Sequence, residues 1–205
     1  MDEISKYEFD YPKSLIGLDP LENRQEAKML VSNQGSFVHD KVGNLTDYLT
    51  KDDLLVFNNT KVIPCRLKAK KIKNVTNYSA IEIEVTLNKL EANEVWSSFC
   101  LPGKKVKVDD VLKFENDFFA KVVKISNGLY FLKFNKAFKN LIDSLDKIGE
   151  MPIPPYILKK RGFRRSDFQN YQTTFAEHNG SVAAPTASLH FDKNLLKKIK
   201  KKKVP

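Results

Sequence analysis

The chain has 205 residues, with 35 lysines and arginines against 25 aspartates and glutamates, for a formal net charge of +10. Hydrophobic residues make up 41%, including 14 Phe and 7 Tyr, which is enough apolar material for one domain or two modest ones. No apolar run reaches membrane-spanning length and no basic stretch leads into an apolar one, so neither a transmembrane helix nor a signal peptide is expected and a cytoplasmic, membrane-independent protein is.

In chain order, the first strong signal is Leu54-Leu55-Val56-Phe57, a continuous apolar run of the kind expected for a strand buried on both faces. Asn58-Asn59-Thr60 would end that strand in turn-forming residues. Ligands bind at this edge of α/β sheets, so Asn58, Asn59 and Thr60 are candidate substrate contacts, with a self-satisfied Asx turn as the alternative. From Ile81 the pattern becomes strict alternation, with Ile81, Ile83, Val85 and Leu87 on one face and Glu82, Glu84 and Thr86 on the other. Further strands are expected over 95–101, 111–114, 118–125 and 129–134, separated by turn signals at Pro102-Gly103 and Asn127-Gly128, and short strands at that spacing predict a small barrel. Phe138, Leu141, Ile142, Leu145 and Ile148 recur at helical spacing, with Gly149 as the expected terminator. Pro152, Pro154 and Pro155 should then hold the chain extended, aiming Tyr156 and a basic run from Lys159 to Arg165. The fold class expected is α/β (α+β mixed), with outer segments 1–66 and 150–205 flanking an inserted β-barrel domain over 67–149.

Residues 171–191 carry the chemistry. From Gly180 to Ser188 nearly every side chain is small, so main-chain groups can approach a ligand closely; a tight packing turn is the plainer alternative. His190 is the best acid/base candidate, since an ordinary imidazole titrates near working pH, and it could equally be a satisfied core residue between Leu189 and Phe191. Asp192 is placed to cap a helix whose apolar stripe is Leu195, Leu196 and Ile199, and whose amino end would suit an anionic ligand. Charge is concentrated in two runs. Lys159 to Arg165 holds five cations and Lys197 to Lys203 six lysines, leaving the rest of the chain nearly neutral. Cations interleaved with Tyr156 and Phe163 suit RNA, and Lys160, Arg161, Arg164 and Arg165 are candidate contacts with Tyr156. For the lysine tail, RNA binding and a simple match to the helix dipole stand level. Cys65 and Cys100 are too few and too isolated for a disulfide scaffold or a zinc site; reduced, partly buried thiols and no metal are expected.

Several blocks, taken together, resemble a known family. Residues 171–191 look like the signature of the S-adenosylmethionine:tRNA ribosyltransferase-isomerases of queuosine synthesis. Residues 53–67, with Asn58-Asn59-Thr60-Lys61-Val62-Ile63-Pro64, are similar to that family's NNTKVIPARL block, 149–157 to its GEVPLPPYI block, and 9–31 to its opening segment. The chain departs from the family at Leu18, Lys28, Asn170 and Ser188, where glutamine, arginine, arginine and glycine are usual, and three of these changes remove or soften a polar contact. The resemblance stops where the family would enter its next core strand. It implies that the carboxyl-terminal half is missing from the outer domain, to be supplied by a second polypeptide or lacking altogether.

What the resemblance implies chemically is transfer of the ribosyl group of S-adenosylmethionine onto an aminomethyl-deazaguanine at the tRNA wobble position. The product is epoxyqueuosine, with release of adenine and methionine. Partners would be that tRNA, S-adenosylmethionine as a substrate rather than a permanently bound cofactor, and a separate carboxyl-terminal half. Catalytic roles would fall to His190 and Tyr171. Substrate binding would fall to Asn58, Asn59, Thr60, Arg66, Gln172, Thr173, Ser181, Ala183 and Thr186, with Arg66 or Arg161 holding phosphate. The alternative is a non-catalytic remnant that binds tRNA through its basic surface.

Overall fold

Alternation from Ile81 to Leu87 puts Ile83, Val85 and Leu87 on one face, and in the computed structural model, which describes residues 3–74, 77–115 and 117–205, that face is the inside of a barrel. The strands are β1 (Lys28–Asn33), β2 (Ser36–Lys41), β3 (Thr60–Val62), β4 (Arg66–Asn74), β5 (Asn77–Leu90), β6 (Val95–Leu101), β7 (Val111–Glu115), β8 (Phe118–Ser126), β9 (Leu129–Phe134) and β10 (His178–Ser181). The helices are α1 (Phe138–Ile148), α2 (Pro155–Arg161), α3 (Asp167–Asn170) and α4 (Lys193–Lys201). The architecture is the expected mixed α/β class.

Six strands close the barrel in the order β4-β5-β6-β9-β8-β7, all pairs antiparallel. A barrel this small has room only for side chains, and Leu67, Ile83, Val85, Leu112, Val122 and Leu132 fill it, with Trp96 and Phe118 the largest. The β8–β9 hairpin turns through Asn127 (φ 51°) and Gly128 (φ 76°), the doubly positive geometry that Asn-Gly accommodates. Helix α1 lays Leu141, Ile142 and Leu145 onto the same core, and Phe138 stacks on Trp96 with centroids 6.3 Å apart. Burial pushes the Cys65 thiol up to about 12 and the Cys100 thiol to about 11, and neither forms a disulfide.

Outside the barrel two smaller cores form. One gathers Val42, Leu195, Ile199 and Val204 with Met29, Leu55 and Phe191 around them; the other gathers Val62, Met151 and Ile153 with Ile157, Phe168 and Tyr171. Between them β3 and β10 make a two-stranded parallel sheet. The β1–β2 hairpin, which turns at Gln34-Gly35, has no counterpart among the sequence-based expectations. Its apolar residues do not alternate cleanly, and Leu30, Phe37 and Val38 stay exposed.

Three expectations are corrected. Residues 54–57 form no strand, and exposure alternates along the segment, with Leu54 71% and Val56 84% exposed. Leu55 and Phe57 are the inward side chains, Phe57 stacking on Phe175 at 4.1 Å, and the Leu55 N–H donates to the Pro205 carbonyl at 3.0 Å. The run is apolar on both faces, but only one face has a neighbour among the described residues. Asn58 and Asn59 therefore precede β3 instead of closing a strand. Pro155 does not prolong an extended arm but opens α2, where its missing N–H is not needed.

Gly149 does follow α1, for a reason other than a left-handed cap: its φ is −79°, and a Cβ there would sit 2.0 Å from the Pro64 carbonyl oxygen and 2.7 Å from that of Leu145. Gly149→Ala should therefore destabilise the fold by about 2 kcal/mol or more through overpacking. Urea denaturation followed by circular dichroism reads this directly, and an unchanged midpoint would refute the close approach.

Candidate functional site

Two adjoining clefts, of about 300 and 260 Å3, share Asp19, Pro20, Asn170 and Leu189 and run as one groove between the amino-terminal segment, α2, α3 and the 184–190 loop. No helix among the described residues is long and apolar enough to cross a membrane, and no cluster of three or more His, Cys, Asp or Glu among them could hold a metal ion.

Three arginines tie the walls of the groove together, Arg161 and Arg24 from within its lining and Arg164 from the surface. Arg161, 5% exposed, places Nη2 2.7 Å from Oδ1 and Nη1 3.0 Å from Oδ2 of Asp167, whose side chain is 2% exposed. Its Nε donates to the Leu18 carbonyl at 2.8 Å, so α2 grips the amino-terminal segment. Arg164 donates from Nη1 to both carboxylate oxygens of Asp19 at 2.8 Å. Burial opposes ionisation of Asp167, but the Arg161 guanidinium and the Arg164 N–H outweigh it and hold the carboxyl below the usual range. Arg24 closes the other end, donating to the carbonyls of Leu189 at 2.8 Å, Gln172 at 3.2 Å and Gln169 at 3.3 Å. Sequence reading missed Arg24, Asp19 and Asp167. The only signal was an unassigned arginine and aspartate in the opening block and an acid six residues after Arg161.

Of the candidate catalytic and binding residues, Tyr156, Tyr171, Thr186 and His190 line this groove. Tyr171 is half-buried; desolvation raises its pKa, although its oxygen accepts from the Ala184 N–H, so it keeps its proton and can act as a donor. His190 is exposed beside Arg24 and Asn170 at the narrower end. Two departures from the family pattern bear on the groove directly: Leu18 supplies the carbonyl that Arg161 holds, and Asn170 lines both clefts.

The other candidates are engaged elsewhere. The Gln172 carboxamide, expected to face a purine, brackets Val62 by donating to its carbonyl at 2.6 Å and accepting from its N–H at 3.0 Å; it extends β3 as a strand would. Arg66 sits on the barrel between Glu84 (2.6 Å) and Glu150 (3.0 Å), which satisfy its charge, so neither Arg66 nor Arg161 is free to hold phosphate. Asn58 accepts from the Thr60 N–H at 2.8 Å and from its hydroxyl, the Asx turn, and Asn59 reaches Glu177 at 3.4 Å. Ser181 closes a local turn by donating to the Ala183 carbonyl and accepting from its N–H. Thr173 is buried with no hydrogen-bond partner for its hydroxyl among the described residues. Lys160 donates to the Lys13 carbonyl at 3.0 Å, and Arg165 is exposed beyond the groove. The amino end of α4 is not open to an anion: Asp192 already accepts there from Leu195 N–H at 2.7 Å and from Gln25 at 2.8 and 3.0 Å.

Residues 4–205 match the family model described as "Queuosine biosynthesis protein". The chain belongs to that family. Relatives in the queuosine biosynthesis family include S-adenosylmethionine:tRNA ribosyltransferase-isomerases from Ruegeria sp. (strain TM1040), 38% identical over 203 residues, and Maricaulis maris, 40% identical over 196. These alignments cover 98% and 94% of this chain but 58% and 56% of the relatives. The chain thus spans little more than half the length of the curated queuosine-family proteins it matches. The crystal structure of S-adenosylmethionine tRNA ribosyltransferase from Thermotoga maritima is 25% identical with a TM-score of 0.36, covering 97% of this chain and 55% of that one.

Asp167→Asn would leave the buried Arg161 side chain only the longer contact from Nε to Asp19 at 3.5 Å and should cost about 3 kcal/mol. Because the folded carboxyl titrates below its ordinary value of 3.8, its stabilising contribution is complete above that pH and is lost as pH falls through the lower folded pKa. Urea midpoints measured from pH 6 to pH 2.5 should fall less steeply on the acid side in the variant than in the parent, the remaining fall coming from other low-titrating carboxylates such as Asp192.

Proposed function

We propose that this chain is the amino-terminal portion of a tRNA ribosyltransferase-isomerase. The enzyme uses S-adenosylmethionine to build the epoxy-cyclopentane of epoxyqueuosine on an aminomethyl-deazaguanine at the tRNA wobble position. The observation that carries this reading is the groove in which Tyr156, Tyr171, Thr186 and His190 converge, formed by the very loop that is most family-like. Relatives carrying the ribosyltransferase-isomerase name support it. In this reading the outer domain comprises 1–66 and 150–205 and the barrel insert 67–149, and the protein works in the cytoplasm with tRNA.

The reaction needs a base to take a proton made acidic by the sulfonium, an acid to protonate departing adenine, and a wall against which a splayed-out base can rest. His190, exposed at the narrow end, serves as the acid/base group. Tyr171, protonated and half-buried, donates a hydrogen bond, and Thr186 adds a hydroxyl at the same wall. Tyr156 offers a stacking face. Arg165 and Lys160, the latter holding the Lys13 carbonyl, are the candidate cations of the basic run that no carboxylate neutralises among the described residues. Arg161 and Arg164 act indirectly, by holding the amino-terminal wall. The uncovered Leu54 and Val56 give a completing polypeptide, the counterpart of the remaining length of the relatives, an extended edge to add to.

Calorimetric titration with S-adenosylmethionine tests the reading, with and without the carboxyl-terminal portion of a relative. Binding in the reconstituted pair, with adenine released on adding the precursor tRNA, is expected; no heat in either mixture overturns it. In the active pair His190→Ala should slow adenine release by about 10²-fold or more while leaving donor affinity nearly unchanged. Leu54→Ser with Val56→Ser should abolish pairing with the added portion without lowering the chain's own melting temperature, since both side chains are exposed.

A further inference from the structure

Helix α4 carries a charge pattern that the groove does not use. Seven lysines lie between 193 and 203, with no acid after Asp192, and they account for most of the chain's net +10. At about 100° per residue, Lys193, Lys197, Lys200 and Lys201 fall within one arc of about 100°, diametrically opposite the buried Leu195 and Ile199. Lys198 and Lys202 flank the buried side and donate to Gln25 and to the Thr46 carbonyl. Among the described residues no ion pair to a carboxylate involves any of the seven. The other basic run is different, for there Asp167 and Asp19 take Arg161 and Arg164.

The helix dipole accounts for cations only in the last turn, and it disfavours Lys193 in the first. Lys193–Lys197 and Lys197–Lys201 are like-charge pairs at i,i+4, and Lys197–Lys200 is one at i,i+3, all unfavourable in the free protein. A stripe that repels itself, lacks acids and faces solvent is screened by salt in the free protein and is neutralised most completely by a polyanion from outside.

We infer that the Lys193, Lys197, Lys200 and Lys201 stripe is a sequence-independent contact for an RNA phosphate backbone, separate from the groove. Such a row of ammonium groups neutralises phosphates as point charges and releases their counterions. An anionic membrane is the other polyanion of this kind. Basic helices that bind membranes insert an apolar face, and here Leu195 and Ile199 are committed to the core. The inference rests on the reading that this chain acts on tRNA, but its test requires neither donor binding nor catalysis.

The test compares the full chain with the fourfold variant K193Q/K197Q/K200Q/K201Q. Binding of a tRNA anticodon stem-loop is followed by fluorescence anisotropy from 50 to 300 mM salt. The slope of log affinity against log salt should fall by about 2 to 4, and the loss should be the same for an unrelated RNA hairpin. Melting temperature should hold or rise as like-charge repulsion is removed. A control with equal charge change on the barrel and α1, K104Q/K107Q/K133Q/K139Q, should keep the parent slope. An unaltered slope in the stripe variant, or an equal drop in the control, overturns the inference. So does tighter binding of the parent to phosphatidylserine vesicles than to RNA, or no RNA binding by the parent at all. Failure of the S-adenosylmethionine titration alongside a stripe-dependent slope would remove the enzymatic reading and leave this one standing.

Discussion

An arginine side chain that is 5% exposed must find its counter-charge inside the protein, and Arg161 finds it in Asp167 at 2.7 Å, with Asp19 at 3.5 Å. Ion pairs so enclosed are poor sources of net stability, because desolvation cancels much of their attraction, but removing one partner is severe. Their value is geometric. With both Nη atoms on Asp167 and Nε on the Leu18 carbonyl, the fork fixes the angle between α2, α3 and the amino-terminal segment at once. Among the described residues none from 3 to 26 joins a buried apolar cluster; Arg161, Arg164 and Arg24 tie the segment down through carboxylates and carbonyls. The walls of the groove depend on this set of polar ties, and so do the positions of Tyr171, Thr186 and His190.

The barrel is organised on the opposite principle. Its closure is backbone pairing around an apolar interior, α1 seals the packing, and buried polar residues are few: Ser97, Ser98 and Lys71, which meets Asp110 at 2.5 Å and the Lys105 carbonyl at 2.8 Å. Apolar burial of this type needs no external partner. The elements outside it share two small cores and one two-stranded parallel sheet, with Leu54 and Val56 left uncovered. One chain thus joins a self-contained barrel to an outer region whose apolar residues Leu54 and Val56 are exposed.

What could be read from the sequence follows the same division. Alternation from Ile81 to Leu87, Asn-Gly at a hairpin and helical spacing after Phe138 are local patterns, and local patterns set the barrel and α1. Strand β4 escaped notice because its inward residues, Leu67, Ala69 and Lys71, include a buried lysine, which breaks the apolar alternation. Residues 54–57 read as a central strand because their composition suits burial on both faces, whereas only one face is covered here. In the groove, Tyr171, Thr186 and His190 were legible as members of an unusual polar, small-residue run. The duties of Gln172, Arg161 and Arg24 were not. Each depends on a partner about 110 to 165 residues away, or on a buried acid that looks like any surface aspartate in the sequence.

Cys65 lies between β3 and β4, at the joint where the barrel meets the rest of the chain, fully enclosed and with its thiol held far from ionisation. A thiol reacts with a disulfide reagent only as the thiolate, which attacks one of the reagent's sulfurs, so in the closed protein Cys65 is doubly protected, by access and by protonation. Labelling at Cys65 then requires the joint to part, while Cys100, 9% exposed on β6, needs only a local loosening of that strand. The two sulfurs make the chain its own opening clock, one hand on the hinge and one on the barrel wall.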